Sequence, residues 1–122
     1  MDGRFILFGS RRRGDFKADS DWDILYIPSK PIVFPKDYIW YKVSFELWNT
    51  IPTTELIKEA RKHFNIPETD DVDLFVLYWK NEKPHAALMR LGWDELLEGW
   101  LLPDALHKIS EYVPELIPIL RG

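Results

Sequence analysis

The sequence predicts an α/β protein built on buried strands, and three observations support that prediction. Short apolar runs rich in β-forming residues recur along the first 80 residues and end at turn-forming residues. Apolar positions at helical spacing indicate an amphipathic helix between two of these runs. The chain has 122 residues, 46% of them hydrophobic, which suffices for one hydrophobic core but not for two. We therefore expect a single domain over 1–122, with its core at 5–80 and a C-terminal helical part at 84–122.

Four segments are predicted as strands. Residues 5–8 are apolar and end at Gly9, residues 22–27 end at Pro28, and residues 72–79 are apolar except for Asp73. Residues 41–47 alternate strictly between apolar and polar, which is typical of a strand with one solvated face. The proline-rich stretch 28–37 is predicted as a loop.

Four further segments are predicted as helices. Residues 53–64 carry one apolar stripe, with Thr53 as a candidate cap, Glu55 in the first turn and basic residues in the last turn. After Pro84 the sequence indicates short helices at 84–91, 94–101 and 104–113, the last with Asp104 as a candidate cap.

Composition excludes several classes of protein. The chain has no cysteine, so it contains no disulfide, no thiolate nucleophile and no cysteine-based zinc or iron–sulfur site. A net charge of -4 gives no basic surface for wrapping a nucleic-acid duplex, and no dedicated nucleic-acid-binding domain is expected. No leader and no long apolar run is present, so we expect a cytoplasmic protein without membrane attachment. The abundance of proline is compatible with a thermophilic source.

Two aspartates at the start of the second predicted strand carry the main chemical signal. Asp21 and Asp23 are two residues apart, so on a strand they share one face with Cα atoms about 6.5 to 7 Å apart. Their mutual repulsion in a partly dry site favours a bound cation, and Mg²⁺ prefers carboxylate and phosphate oxygens. Asp73 would complete the set if the two strands are neighbours, and a metal pair about 3.5 to 4 Å apart could then support displacement at phosphorus. Asp71 lies two residues before Asp73 and would share its face on a strand, so Asp71 is the alternative candidate for the third carboxylate.

A Gly-Ser turn and a basic stretch precede these aspartates. Gly9 allows close approach of backbone to a phosphate, while Ser10 and the amides of the turn offer hydrogen bonds. The arginines at 11–13 add positive charge, and we expect at least one of them to contact phosphate. A Walker-type loop is excluded, because Asp15 follows Gly14 where that motif requires lysine.

The string GSRRRGDFKADSDWD resembles the signature of the minimal nucleotidyltransferases of the DNA polymerase β superfamily, in which ten residues separate Gly-Ser from Asp-x-Asp. The resemblance implies a nucleotidyltransferase-type mixed β-sheet with helices mainly on one face and short C-terminal helices. It implies that Gly9 and Ser10, together with Arg11 and Arg13, hold a nucleoside triphosphate. Members usually carry a small aliphatic residue where this chain has Trp22.

The same resemblance implies catalytic and metal-binding roles for three carboxylates. Asp21 and Asp23 would bind two Mg²⁺ ions, and Asp73, in a VDLFV string similar to a later strand of the family, would ligate one of them and activate the acceptor hydroxyl. The implied reaction is Mg²⁺-dependent transfer of a nucleotidyl group to a hydroxyl, with AMP from ATP as the first expectation and other nucleoside triphosphates open.

The acceptor and the partners stay open at this point. Many small relatives are similar to antitoxins that pair with an all-helical HEPN-type toxin, so such a partner is the leading expectation. Antibiotic-modifying and RNA-directed relatives also exist, and a homodimer is possible. The main alternative is a catalytically decayed nucleotide-binding or partner-binding module. Members usually carry a helix before the first strand, where this chain has residues 1–4, so one half of a heteromeric transferase is a third reading.

Overall fold

A computed structural model describes residues 3–89 and 100–121 and shows a mixed β-sheet within them. The strands are β1 (Arg4–Phe8), β2 (Trp22–Ile27), β3 (Val33–Phe34), β4 (Val72–Lys80), β5 (Lys83–Met89) and β6 (Trp100–Leu101). The helices are α1 (Gly9–Arg13), α2 (Trp40–Thr50), α3 (Thr53–Phe64), α4 (Pro103–Ser110) and α5 (Ile117–Leu120), with a 3₁₀ helix at Pro114–Leu116 before α5.

The sheet has the order β1-β2-β4-β5-β6, and β3 pairs with the far end of β4. β1 and β2 are antiparallel, as are β4 with β5 and β5 with β6, whereas β2 and β4 are parallel. A parallel pair requires a long crossover connection, and the segment that carries β3, α2 and α3 supplies it. The mixed sheet expected from the sequence is confirmed.

The core lies on both faces of the sheet. On one face, Val43 and Leu47 of α2 and Leu56 of α3 pack against Ile24 and neighbouring buried residues of β2 and β4. On the other face, the C-terminal helices bury Leu106, Leu116 and Leu120 against Ile6, Leu25, Phe75 and Leu77. The two long helices therefore share one face, and the short C-terminal helices cover the other.

Several predicted elements are confirmed. The strands at 5–8, 22–27 and 72–79 are present, and α3 spans the predicted residues 53–64. Thr53, however, is not a cap: it is the first residue of α3, and its hydroxyl donates to the Ile51 carbonyl at 3.4 Å. The helix predicted at 104–113 is present as the shorter α4, with Asp104 in its first turn and Leu102 at the cap position.

The strand predicted at 41–47 is wrong, because this segment lies within helix α2. Its alternating pattern is also compatible with a helix, since Val43, Ser44 and Leu47 fall on one helical face and are buried. The apolar residues Tyr41 and Phe45 point outward and are exposed. Burial of a helical stripe therefore outweighs the period-two pattern.

The helix predicted at 84–91 is also wrong over residues 84–89, which belong to strand β5, and residues 90–91 lie outside the described residues. β5 follows β4 through a two-residue turn in which Asn81 and Glu82 both have positive φ, at 53° and 60°, as hairpin turns of this length require. The run after Pro84 is buried without helical periodicity, and it forms a central strand flanked by β4 and β6. Of the helix predicted at 94–101, residues 94–99 lie outside the described residues and residues 100–101 form β6.

Candidate active site

Two of the predicted carboxylates lie directly opposite each other on neighbouring strands. Asp23 is the second residue of β2, Asp73 is the second residue of β4, and the two are register partners in the parallel pair. Neighbouring strands lie about 4.8 Å apart, and in-register partners project to the same face. Asp21 comes just before β2 with the same parity. This parity, shared with the buried Leu25, places the carboxylates on the face that the C-terminal helices cover.

The carboxylates influence one another electrostatically. Partial burial raises the pKa of Asp23 from 3.8 to about 6, and the negative charges of Asp73 and Asp21 contribute to the same rise. The positive charge of Arg13 lowers the pKa of Asp23 and opposes the rise. Asp21, Asp73 and Arg13 therefore all lie within electrostatic range of Asp23.

Asp71, the rival of Asp73, occupies a different position. It is exposed and precedes β4, and its backbone carbonyl accepts a hydrogen bond of 2.9 Å from the Trp22 amide. This backbone contact fixes the point where β2 and β4 begin to pair, and the register places Asp73 rather than Asp71 opposite Asp23.

Gly9 packs directly against the Asp23 carboxylate. Its φ is +73°, in the left-handed region that favours glycine, and a Cβ there would overlap Asp23 Oδ2 and lie 3.0 Å from its Cγ. Gly9 is therefore required for two reasons, its backbone conformation and its contact with Asp23. Ser10 follows as a half-buried residue of α1, and its carbonyl accepts the Gly14 amide at 2.9 Å.

Arg11 is engaged by the loop that connects α1 to β2. Its side chain is 8% exposed, and its guanidinium donates to the Ser20 carbonyl from Nη2 at 3.0 Å and from Nε at 3.3 Å. The same guanidinium lies 4.3 Å from the ring centroid of Phe16 and 4.6 Å from that of Trp22. These contacts give Arg11 a structural position under the loop.

Trp22 connects two loops at the edge of the site. Its indole Nε1 donates to Asp70 Oδ2 at 3.1 Å, and its ring stacks under Arg11. Arg11 also lies 3.7 Å from Asp70. The large side chain between the two aspartates thus joins the loop after α1 to the loop before β4, which a small aliphatic residue could not do.

Arg13 differs from Arg11 in its exposure. Its side chain is 44% exposed, Nε donates to Asp15 at 3.3 Å, and Nη1 donates to the Tyr112 hydroxyl at 3.3 Å. Two of its five N–H groups are used in these two contacts. Its position near Asp23 and its exposure make Arg13 the arginine best placed for an arriving anion.

Two residues at the site were missed in the sequence analysis. Tyr112 accepts a hydrogen bond of 3.1 Å from the Gly9 amide as well as the bond from Arg13, and Glu115 pairs with Arg12 at 2.8 and 3.1 Å. Tyr112 lies 103 positions from Gly9 along the chain. No local pattern indicates such a contact.

Carboxylate oxygens are suitable ligands for magnesium, although the protein alone supplies an incomplete set of them. Within residues 3–89 and 100–121, no group of three histidine, aspartate or glutamate side chains forms a ready metal-binding cluster. Mg²⁺ is usually bound through one or two carboxylates together with water and substrate phosphates, so a complete protein cage is not required. Asp23 and Asp73, as register partners on one face of the sheet, could provide such a partial set, and a bound cation would offset the burial and the neighbouring negative charges that raise the pKa of Asp23.

The mixed sheet, the Gly-Ser turn after β1 and the facing carboxylates define an α+β protein of the nucleotidyltransferase type. The family model of the nucleotidyltransferase domain matches residues 2–66, just over half of the chain, and the chain belongs to this family. Membership is consistent with the minimal nucleotidyltransferases of the polymerase β superfamily, and it supports nucleotidyl transfer as the general reaction class. Searches of curated proteins and of solved structures find no significant match. The matched segment includes Gly9 and Asp23 but ends before Asp73 and Tyr112.

Among the helices of the described ranges, none combines the length and apolar character needed to cross a membrane.

Proposed function

We propose that the protein catalyses Mg²⁺-dependent transfer of a nucleotidyl group, with AMP from ATP as the first candidate, to a hydroxyl acceptor. The observation that carries this proposal is the register of β2 and β4, which sets Asp23 opposite Asp73 with Asp21 near enough to raise the pKa of Asp23. Carboxylates that repel one another at the end of a sheet are costly unless a cation offsets them, which supports a metal-dependent enzyme over a decayed module.

The three carboxylates have distinct roles in this proposal. Asp21 and Asp23 hold the metal ions, and Asp73 ligates one of them and accepts the proton of the acceptor hydroxyl. Bound Mg²⁺ supplies charge neutralisation at the phosphates. The acceptor oxygen forms a bond to the α-phosphorus, the bond from that phosphorus to the bridging oxygen breaks, and pyrophosphate leaves.

The departing phosphates are assigned to Ser10 and Arg13. Ser10, the second residue of α1, offers a hydroxyl, and Arg13 brings exposed positive charge within electrostatic range of Asp23. Arg11 supports this region indirectly, because its buried guanidinium holds the loop backbone at Ser20. Gly9 contributes its lack of a side chain, which lets Asp23 approach the turn.

The hydroxyl acceptor is proposed to belong to a HEPN-type helical protein, for which this chain would act as an antitoxin. The resemblance of the loop to minimal nucleotidyltransferases supports this assignment. A homodimer is the other assembly to be tested, and the native mass of the protein alone and with a candidate partner separates the two.

Calorimetric titration with ATP, GTP, CTP and UTP, with and without Mg²⁺, tests the proposal. Wild-type protein should bind at least one of them only with Mg²⁺, and Asp73→Asn should lose that binding. Asp71→Asn is the matched control, because it neutralises an exposed aspartate two residues earlier and leaves the backbone bond to Trp22 in place.

The outcomes separate the candidates. Metal-independent binding that survives Asp73→Asn supports a decayed nucleotide-binding module. Equal losses in Asp73→Asn and Asp71→Asn contradict the assignment of Asp73. Where binding is metal-dependent, transfer of label from α-labelled ATP to the candidate partner identifies the acceptor, and absence of transfer contradicts the toxin assignment.

A further inference from the structure

The C-terminal segment contacts the proposed phosphate-binding turn at three points. The Tyr112 hydroxyl accepts hydrogen bonds from the Gly9 amide at 3.1 Å and from Arg13 Nη1 at 3.3 Å. The Arg13 guanidinium also lies 5.4 Å from the centroid of the Tyr112 ring. The Glu115 carboxylate accepts hydrogen bonds from both terminal nitrogens of Arg12, at 2.8 and 3.1 Å. The short segment 112–115 therefore contacts the first, fourth and fifth residues of α1, which are Gly9, Arg12 and Arg13.

Helix α1 needs support from elsewhere. It has five residues, too few to be stable alone, and it begins at a glycine in the left-handed region. The backbone bond from Gly14 to Ser10 closes its last turn. The Gly9 amide comes before that turn, and its bond to Tyr112 fixes the start of the helix where it meets Asp23.

Tyr112 also restricts Arg13. A long arginine side chain loses considerable rotamer freedom when it is fixed on a ligand, and this loss weakens binding. Tyr112 and Asp15 accept hydrogen bonds from Nη1 and Nε of Arg13. These two bonds restrict the rotamers of Arg13 and so reduce the entropy that phosphate binding would cost, and the charge of Arg13 lies within electrostatic range of Asp23.

Glu115 stabilises the same arrangement from the other end of the segment. Its double hydrogen bond with Arg12 lowers the pKa of Glu115 below the ordinary value. Because Arg12 is paired with Glu115 and is not among the residues that the resemblance assigns to the triphosphate, this pair can be changed without touching the proposed chemistry.

We propose that Tyr112 is a positioning residue for the triphosphate, acting through the Gly9 amide and Arg13, and that Glu115 holds its segment against α1. This inference rests on the proposed function for its ligand. The contact itself is a property of the fold, so the two can be tested separately.

The test measures phosphate affinity and local opening in the same variants. Tyr112→Phe removes the hydroxyl and keeps the ring near Arg13, and Tyr41→Phe removes the same group from an exposed tyrosine on α2. Glu115→Gln weakens the grip on Arg12. Affinity is measured by calorimetry for Mg²⁺–ATP and for inorganic tripolyphosphate, and local opening by NMR exchange of the Gly9 amide hydrogen.

We expect Tyr112→Phe to bind both ligands about tenfold more weakly and to exchange the Gly9 amide about tenfold faster. Glu115→Gln should change both quantities in the same direction by a smaller factor. Tyr41→Phe should match wild type in both. A purely structural role would lower the melting temperature of Tyr112→Phe without a selective loss of phosphate affinity.

Three outcomes overturn the inference. Unchanged Gly9 exchange in Tyr112→Phe refutes the contact, and faster exchange with unchanged phosphate affinity refutes the positioning role. If wild-type protein binds neither ATP nor tripolyphosphate, the proposed function is wrong and the positioning role falls with it, while the exchange result still decides whether Tyr112 holds α1.

Discussion

Replacing Gly9 by alanine should damage the site more than the fold, and Gly14 provides a matched control. Both glycines have positive φ, +73° at Gly9 and +90° at Gly14. A non-glycine residue in this region costs about 1–2 kcal/mol, so both substitutions carry this penalty. They differ in their surroundings, because a Cβ at Gly14 meets nothing within 4 Å, whereas a Cβ at Gly9 collides with Asp23.

The magnitude follows from this collision. The added methyl group would lie 3.0 Å from Asp23 Cγ and 3.1 Å from its Cβ, and it would overlap Oδ2. Turning Asp23 away from its rotamer costs about 0.5–1.5 kcal/mol. We therefore expect Gly9→Ala to lose about 1.5–3.5 kcal/mol of unfolding free energy and Gly14→Ala about 1–2 kcal/mol. Displacement of a metal-binding carboxylate should also weaken Mg²⁺-dependent ATP binding by about 10- to 100-fold in Gly9→Ala alone.

Urea unfolding followed by tryptophan fluorescence gives the first quantity, and calorimetry with Mg²⁺–ATP gives the second. Gly14→Ala should bind as wild type does once both are studied well below their unfolding midpoints. The reasoning is refuted if Gly14→Ala loses as much affinity as Gly9→Ala, or if Gly9→Ala binds as tightly as wild type.

Two further predictions concern the charged groups. Since the pKa of Asp23 is raised from 3.8 to about 6, folded protein keeps a proton that the unfolded chain releases between about pH 4 and 6, so this group destabilises the fold as pH rises. In metal-free buffer, Asp23→Asn and wild type should have the same unfolding free energy at pH 4. At pH 7 the variant should be more stable by about 1 kcal/mol, after allowance for solvent screening. A stability difference that stays constant between pH 4 and pH 7 would contradict the raised pKa of Asp23. Arg11→Gln should lower the unfolding free energy by about 2 kcal/mol, because its stacking and its bonds to carbonyls are lost. Arg13→Gln should keep the unfolding free energy within about 0.5 kcal/mol of wild type and weaken ATP binding instead. If Arg13→Gln lowered stability and Arg11→Gln weakened only ATP binding, the roles of the two arginines would have to be exchanged.

Local patterns predicted the parts of the fold in which burial and periodicity agree. The strands carrying Asp23 and Asp73 have nearly continuous apolar sequences, and α3 has a single stripe, so these elements appear where expected. The errors arose where two periods fit one segment. Residues 41–47 satisfy strand alternation and a helical stripe alike, and residues 84–89 form a buried run in which Pro84 suggested a helix start.

Only those features of the site that depend on local sequence spacing could be predicted. The spacing of two residues places Asp21 and Asp23 on one face of a strand. Their proximity to Asp73 depends instead on the register of the parallel strands β2 and β4. The three adjacent arginines look equivalent in sequence. Only tertiary contacts distinguish a buried Arg11, an Arg12 paired with Glu115 and an exposed Arg13.

Because β2 and β4 pair across a long crossover, we expect the site to form late in folding. Trp22 pairs with Val72, so the chain must close a loop of roughly 50 residues, crossover included, before the carboxylates meet. Contacts of such separation form slowly compared with hairpins and helices. A ligand that needs both Asp23 and Asp73 therefore recognises only molecules in which this last pairing is complete. At 100 times its dissociation constant it would stabilise them by about 2.7 kcal/mol, so ligand binding would also report on whether the sheet has closed.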